Sequence, residues 1–125
     1  MFEIEQLKKA MPEATFELLT EGFADIEYMN KWTLVGGTAL SIHLQHRLSE
    51  DLDFFIEKST LDQERTAIER IISNLEDQGY NCVRTHNNIE NLDYEIEGVK
   101  VTFFASGLKD LKANCHSYKN INVAT

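Results

Sequence analysis

Residues that staple or break a chain are scarce: two cysteines, one proline and one tryptophan among 125 residues. Cys82 and Cys115 show no Cys-x-x-Cys spacing, and His43, His46, His86 and His116 do not complete a zinc pattern with them. A disulfide framework or a structural zinc is therefore not what organises this fold, and the expectation is two buried, reduced thiols. No apolar run approaches the ~18 residues of a membrane span. The start, Met1-Phe2-Glu3-Ile4-Glu5, has neither the basic nor the apolar region of a secretory signal, so a cytoplasmic location without membrane contact is expected. Basic charge is also in deficit, with 12 Lys and Arg against 21 Asp and Glu and a net charge of −9. That argues against the broad electrostatic grip on nucleic acid of a basic domain, while leaving room for a local basic groove.

What is present suits one domain, 1–125. A hydrophobic content of 42% with 26% charged residues is ordinary for a globular chain, and this length buries a core without disulfides. Phe2, Ile4, Leu7 and Met11 predict a short helix ending near Pro12, and Phe16 to Met29 predict a second helix to about Asn30, with Gly22 as its weak point. Trp32 to Val35 reads as a buried strand closed by Gly36-Gly37. Thr38 then caps a helix from Ala39 to about His46, with Leu40, His43, Leu44 and Arg47 on one stripe. Leu52 to Glu57 reads as another strand. After Ser59-Thr60 the apolar positions Leu61, Ala67, Ile68, Ile71, Ile72 and Leu75 keep a 3.6-residue period up to Gly79. A strand from Tyr80 to about Thr85 follows, then a hairpin turning on Glu97-Gly98, whose register sets Ile96 against Val99, Glu95 against Lys100, Tyr94 against Val101 and Asp93 against Thr102. A weak helix around Leu108 to Ala113 and a last strand around Ile121 and Val123 complete the expected α/β (α+β) fold, a small mixed sheet with helices on one face and a charged site on the other.

Two patterns carry chemistry. A strand running into Gly36-Gly37 and then a helix lets a phosphate approach unpaired backbone N–H groups, with the Thr38 hydroxyl as a further donor; a plain tight turn is the alternative. Asp51 and Asp53, at i and i+2, put two carboxylates about 6 to 7 Å apart on one strand face, where they repel unless a cation lies between them. Mg²⁺ (or Mn²⁺) answers that need, because it takes one or two carboxylates plus substrate phosphates; a solvated strand start is the alternative.

The combination of glycines first and the Asp pair soon after resembles the nucleotidyltransferase superfamily with a polymerase-β-like palm. Leu34-Val35-Gly36-Gly37-Thr38-Ala39-Leu40 with His46-Arg47-Leu48-Ser49-Glu50-Asp51-Leu52-Asp53-Phe54-Phe55 looks more narrowly like the AbiEii/AbiGii toxin family. The resemblance implies Mg²⁺-dependent transfer of a nucleoside monophosphate from an NTP to an acceptor hydroxyl of RNA, tRNA or protein, by the toxin of a toxin–antitoxin or abortive-infection system with an antitoxin partner. It assigns phosphate binding to Gly36, Gly37 and Thr38, metal binding and catalysis to Asp51 and Asp53, and further triphosphate or substrate contacts to Arg47 and Ser49. A third carboxylate is implied on the strand Val99 to Phe104, where this chain has Thr102. Asp93, about 5 Å from Thr102 between Cβ atoms across the hairpin, is the candidate replacement, with an exposed strand Asp as the alternative. Lys100 either pairs with Glu95 or reaches the triphosphate. The family's C-terminal helical region would begin near Thr125, so a domain lacking it is expected. Thr102 and that shortness sustain a second reading, a nucleotide-binding or regulatory module without catalysis.

Overall fold

The computed structural model describes residues 3–44, 50–57, 59–87, 90–106 and 115–124. Helix α1 (Ile4–Ala10) stops before Pro12, which lacks a backbone donor, and α2 (Glu13–Glu17) starts just after it. The expected single helix to Asn30 is not formed. From Leu18 to Phe23 the chain widens into a π turn, with Ala24 N–H donating to the Leu19 carbonyl at 2.9 Å, and a separate 3₁₀ turn spans Glu27–Lys31. Gly22 lies within the π turn. A Cβ there would sit 3.0 Å from Leu75 Cδ2 and 3.3 Å from Leu18 Cδ1, so the glycine lets this segment approach the helix beneath it.

Strand β1 (Thr33–Val35) passes directly into α3 (Gly36–Leu44), which begins at the first glycine rather than at Ala39. Its buried face is Thr38, Ala39, Ser41 and Ile42, whereas the expected stripe of Leu40, His43 and Leu44 faces outward. Strand β2 (Leu52–Glu57) leads to α4 (Leu61–Asp77). There Thr60 and Gln63 each accept the other's backbone N–H at 3.2 Å, a reciprocal cap, and Gly79 (φ +100°) ends the element as the sequence predicts. Strands β3 (Cys82–Asn87), β4 (Asn91–Ile96) and β5 (Val99–Ser106) follow, with β3 beginning two residues later than expected. The β4–β5 hairpin has the predicted register at all four pairs. Its turn residues Glu97 (φ 49°) and Gly98 (φ 80°) both have the positive φ of a type I′ turn. Strand β6 (Cys115–Tyr118), which the sequence reading lacks, pairs antiparallel with β7 (Ile121–Ala124), the expected last strand. The expected helix around Leu108 to Ala113 lies outside the described residues.

The seven strands form one mixed sheet in the order β3-β4-β5-β2-β1-β7-β6. Alternation sorts its faces. Leu34, Leu52, Phe54, Leu92, Tyr94, Val101 and Phe103 join Leu19, Phe23, Ile68, Ile71 and Leu75 of the helices in one apolar core. Phe54 and Phe103 stack at 5.7 Å between ring centroids, with Phe23 tilted on Phe54 at 5.1 Å and Trp32 edge-on to Phe103 at 5.2 Å. Each such buried ring contributes about 1.5–3 kcal/mol through removal from water. This mixed sheet with helices on one face is the expected fold class, and it leaves the opposite face of β2, β5 and β4 for polar residues. Among the described residues no helix is long and apolar enough to cross a membrane.

Candidate functional site

Pairing builds the site. Val35 lies opposite Asp53 across the antiparallel β1–β2 pair, so Gly36, the next residue, is brought against the Asp53 side chain. Gly36 has φ +76°, and a Cβ built on it would fall 2.6 Å from Asp53 Oδ2. Only a residue without a side chain lets the carboxylate lie beside the first turn of α3, near the positive end of the helix dipole.

Asp51 precedes β2 and is exposed, but its backbone is held from two sides. The buried Thr38 hydroxyl donates to the Asp51 carbonyl, and the buried Thr15 hydroxyl donates to the Glu50 carbonyl at 2.9 Å. Thr38 thus ties α3 to the approach of β2 and does not act as the helix cap the sequence suggests. Sequence alone does not mark Thr15. A threonine on a short helix carries no local mark of a contact made 35 positions away.

A polar row continues across the sheet. Asp53 pairs with Thr102 in the parallel β2–β5 ladder, Thr102 with Asp93 in β4, and Asp93 with His86 in β3, so all four share one face. Asp93 Oδ1 is closed off from solvent and has no hydrogen-bond partner among the described residues. Lys100 lies opposite Glu95 and is exposed. Desolvation pushes the half-buried Asp53 carboxyl above its usual range; the charge of Asp51 pushes it further, Lys100 pulls it back and Asp93 adds to the rise. Asp51, Asp93 and Lys100 are therefore all within electrostatic reach of Asp53. Phe55 and Phe104, paired on the same face with rings 5.1 Å apart, supply apolar surface beside Asp53.

Asp51 and Lys100 open onto a cleft of about 240 Å³ that Thr15, Glu50 and Gly98 also line. Larger hollows of about 420 and 530 Å³ border α2 and contain none of the predicted site residues, so converging charge, not cavity size, marks the site. Among the described residues no group of three or more His, Cys, Asp or Glu side chains is arranged to hold a metal by itself. The structure thus brings Gly36, Gly37, Thr38, Asp51, Asp53, Asp93, Lys100 and Thr102 to neighbouring positions on three strands and one helix start. Arg47 and Ser49 lie outside the described residues. Cys82 is a half-buried free thiol, raised to about 11 by burial and by Glu76 and Glu97, and takes no part in the site.

Comparison with curated proteins finds no match, and neither does comparison with solved structures. A family model for the nucleotidyl transferase AbiEii toxin of type IV toxin–antitoxin systems matches residues 17–113, more than three quarters of the chain, including Gly36, Gly37, Thr38, Asp51, Asp53, Asp93, Lys100 and Thr102. The strand–glycine–helix turn packed on Asp53 lies inside that match, and the chain belongs to the AbiEii nucleotidyl transferase toxin family.

Proposed function

We propose that this protein transfers a nucleoside monophosphate from an NTP to an acceptor hydroxyl of RNA, tRNA or protein, releasing pyrophosphate, as the toxin of a toxin–antitoxin pair acting in the cytoplasm. The observation that carries the reading is the packing of Asp53 against Gly36, which puts a carboxylate beside the start of helix α3. Asp51 and Asp53 would hold Mg²⁺ or Mn²⁺. The donor set fits: two hard oxygen ligands, one of them half-buried and disfavoured in its charged form by burial and by its neighbour, which a cation would relieve. Two carboxylates are too few for a protein cage, and substrate phosphates complete such a shell. When bound, the ion supplies charge neutralisation at the phosphates. The chain's own part is positional. Gly36 and Gly37 present backbone N–H groups to the triphosphate, Thr38 and Thr15 fix the backbone that carries Asp51, and Lys100 offsets charge developing on the leaving pyrophosphate.

Thr102 in the row beside Asp53 favours a second reading, an NTP-binding or regulatory module that lacks turnover. Thermal melting with each NTP, with and without Mg²⁺, tests both. The expected result is a Mg²⁺-dependent rise in Tm that Asp51→Asn abolishes, together with incorporation of labelled nucleotide into total bacterial RNA or protein. A shift without incorporation supports the binding module, and no shift with any NTP refutes both.

A further inference from the structure

We propose that Asp93, on β4, is the carboxylate that receives the proton of the acceptor hydroxyl, standing in for the base that Thr102 cannot provide on β5. The proposal rests on the nucleotidyl-transfer reading and specifies its acceptor side. Three observations carry it. Asp53, Thr102 and Asp93 are consecutive partners in one row, so the two carboxylates stand on the same face, about 10 Å apart between Cα atoms, with a short threonine as the floor between them. Asp93 Oδ1 is withdrawn from water and has no donor among the described residues, and a buried acceptor left in that state is costly to keep unless a donor arrives in the working complex. The charge of Asp93 is also felt at Asp53, so the two belong to one electrostatic site.

An acceptor hydroxyl lying over Thr102 has Asp93 on one side and a phosphate held beside Asp53 on the other. The hydroxyl O–H bond breaks and its proton passes to the Asp93 carboxylate while the oxygen forms a bond to the α-phosphorus. The bond from the α-phosphorus to the oxygen bridging to the β-phosphorus breaks, and pyrophosphate leaves with that electron pair. Asp93 then returns the proton to solvent. His86, the next residue in the row, is exposed and flanks the site on the β3 side.

The test uses the whole chain, an NTP labelled at the α-phosphate, Mg²⁺, and total bacterial RNA and protein as acceptors. Asp93→Asn is expected to keep the Mg²⁺-dependent NTP thermal shift, with half-saturation within about twofold of wild type, while transfer falls by about 100-fold or more, the lower range for loss of a general base. Adding Thr102→Asp to Asp93→Asn moves a carboxylate one strand along the same row and is expected to bring transfer back to within about tenfold of wild type. A purely structural Asp93 would not show that rescue. Wild-type transfer by Asp93→Asn, or a double variant that binds NTP and stays inactive, overturns the assignment. Wild-type protein that binds NTP but labels nothing overturns it too and leaves the binding module standing, whereas no NTP shift at all overturns the nucleotidyl-transfer reading itself.

Discussion

Asp53 Oδ2 occupies the space that a side chain on Gly36 would need, 2.6 Å from where its Cβ would be. The two residues are brought together because Val35 pairs with Asp53 and the chain turns at the next residue with φ +76°. Glycine here serves the carboxylate as much as any phosphate.

Gly36→Ala should therefore cost twice, once for a left-handed backbone and once for displacing Asp53. A loss of about 2–4 kcal/mol in urea unfolding is expected, with the Mg²⁺-dependent NTP shift abolished. In an Asp53→Ala background the steric part disappears, and the same substitution should cost only about 1–2 kcal/mol. Equal costs in both backgrounds would refute the packing argument.

Asp53→Asn should stabilise the ligand-free protein at neutral pH. The folded-state pKa is raised, so this group binds protons more tightly folded than unfolded, and its contribution is fully present below the ordinary Asp value of about 3.9 and lost as pH rises through the folded value. The Asn variant escapes that loss. Its advantage, below about 1 kcal/mol because water screens a half-buried group, should vanish in melts at pH below the Asp range. A variant less stable than wild type at pH 7 would contradict the electrostatic reading.

Thr38→Val keeps the shape but removes the donor to the Asp51 carbonyl. Loss of about 1–2 kcal/mol and weaker Mg²⁺-dependent NTP binding are expected, with Thr38→Ser close to wild type. Thr15→Val should behave similarly through Glu50. If Thr38→Val weakens NTP binding at unchanged stability, a direct phosphate contact is the better account of this hydroxyl.

Cys82 should react slowly. With its thiol raised to about 11, thiolate at pH 8 is roughly 100-fold scarcer than for a free cysteine of pKa near 9. Iodoacetamide labelling, followed by peptide mass spectrometry, should accelerate tenfold per pH unit up to about pH 10. Rapid labelling at pH 7 would show the burial to be wrong.

Local rules made several elements legible. A two-residue turn fixes hairpin register, so Asp93 opposite Thr102 follows from Glu97-Gly98 and alternation alone. The apolar period of α4 after Ser59-Thr60 is equally local. The outward face of α3 and the π turn of Leu18–Phe23 were not legible, because both are decided by what packs beneath: Ala39 and Ile42 in the core, Leu75 and Tyr80 against Gly22. Strand β7 shows the same limit. Its apolar alternation marks a strand, but its parallel pairing with β1 depends on distant anchors, including Asn120 Nδ2 to the Ala24 carbonyl at 2.9 Å and Asn122 Nδ2 to the Asn30 carbonyl at 2.7 Å.

By itself the sequence determined the parts of the candidate site: a glycine pair after a strand, a carboxylate pair at i and i+2, a hairpin carrying Asp93 and Lys100, and a family block joining the first two. Only the tertiary structure decided that Gly36 must lack a side chain because Asp53 lies against it, that Thr15 and Thr38 hold the backbone ahead of Asp53, and that Asp53, Thr102 and Asp93 form one row. The physical reason is range. Turn chemistry and periodicity act over a few residues, whereas the β2–β5 pairing that brings Asp53 to Thr102 joins positions 49 apart and is settled by burial of the opposite face, where Phe54 stacks on Phe103.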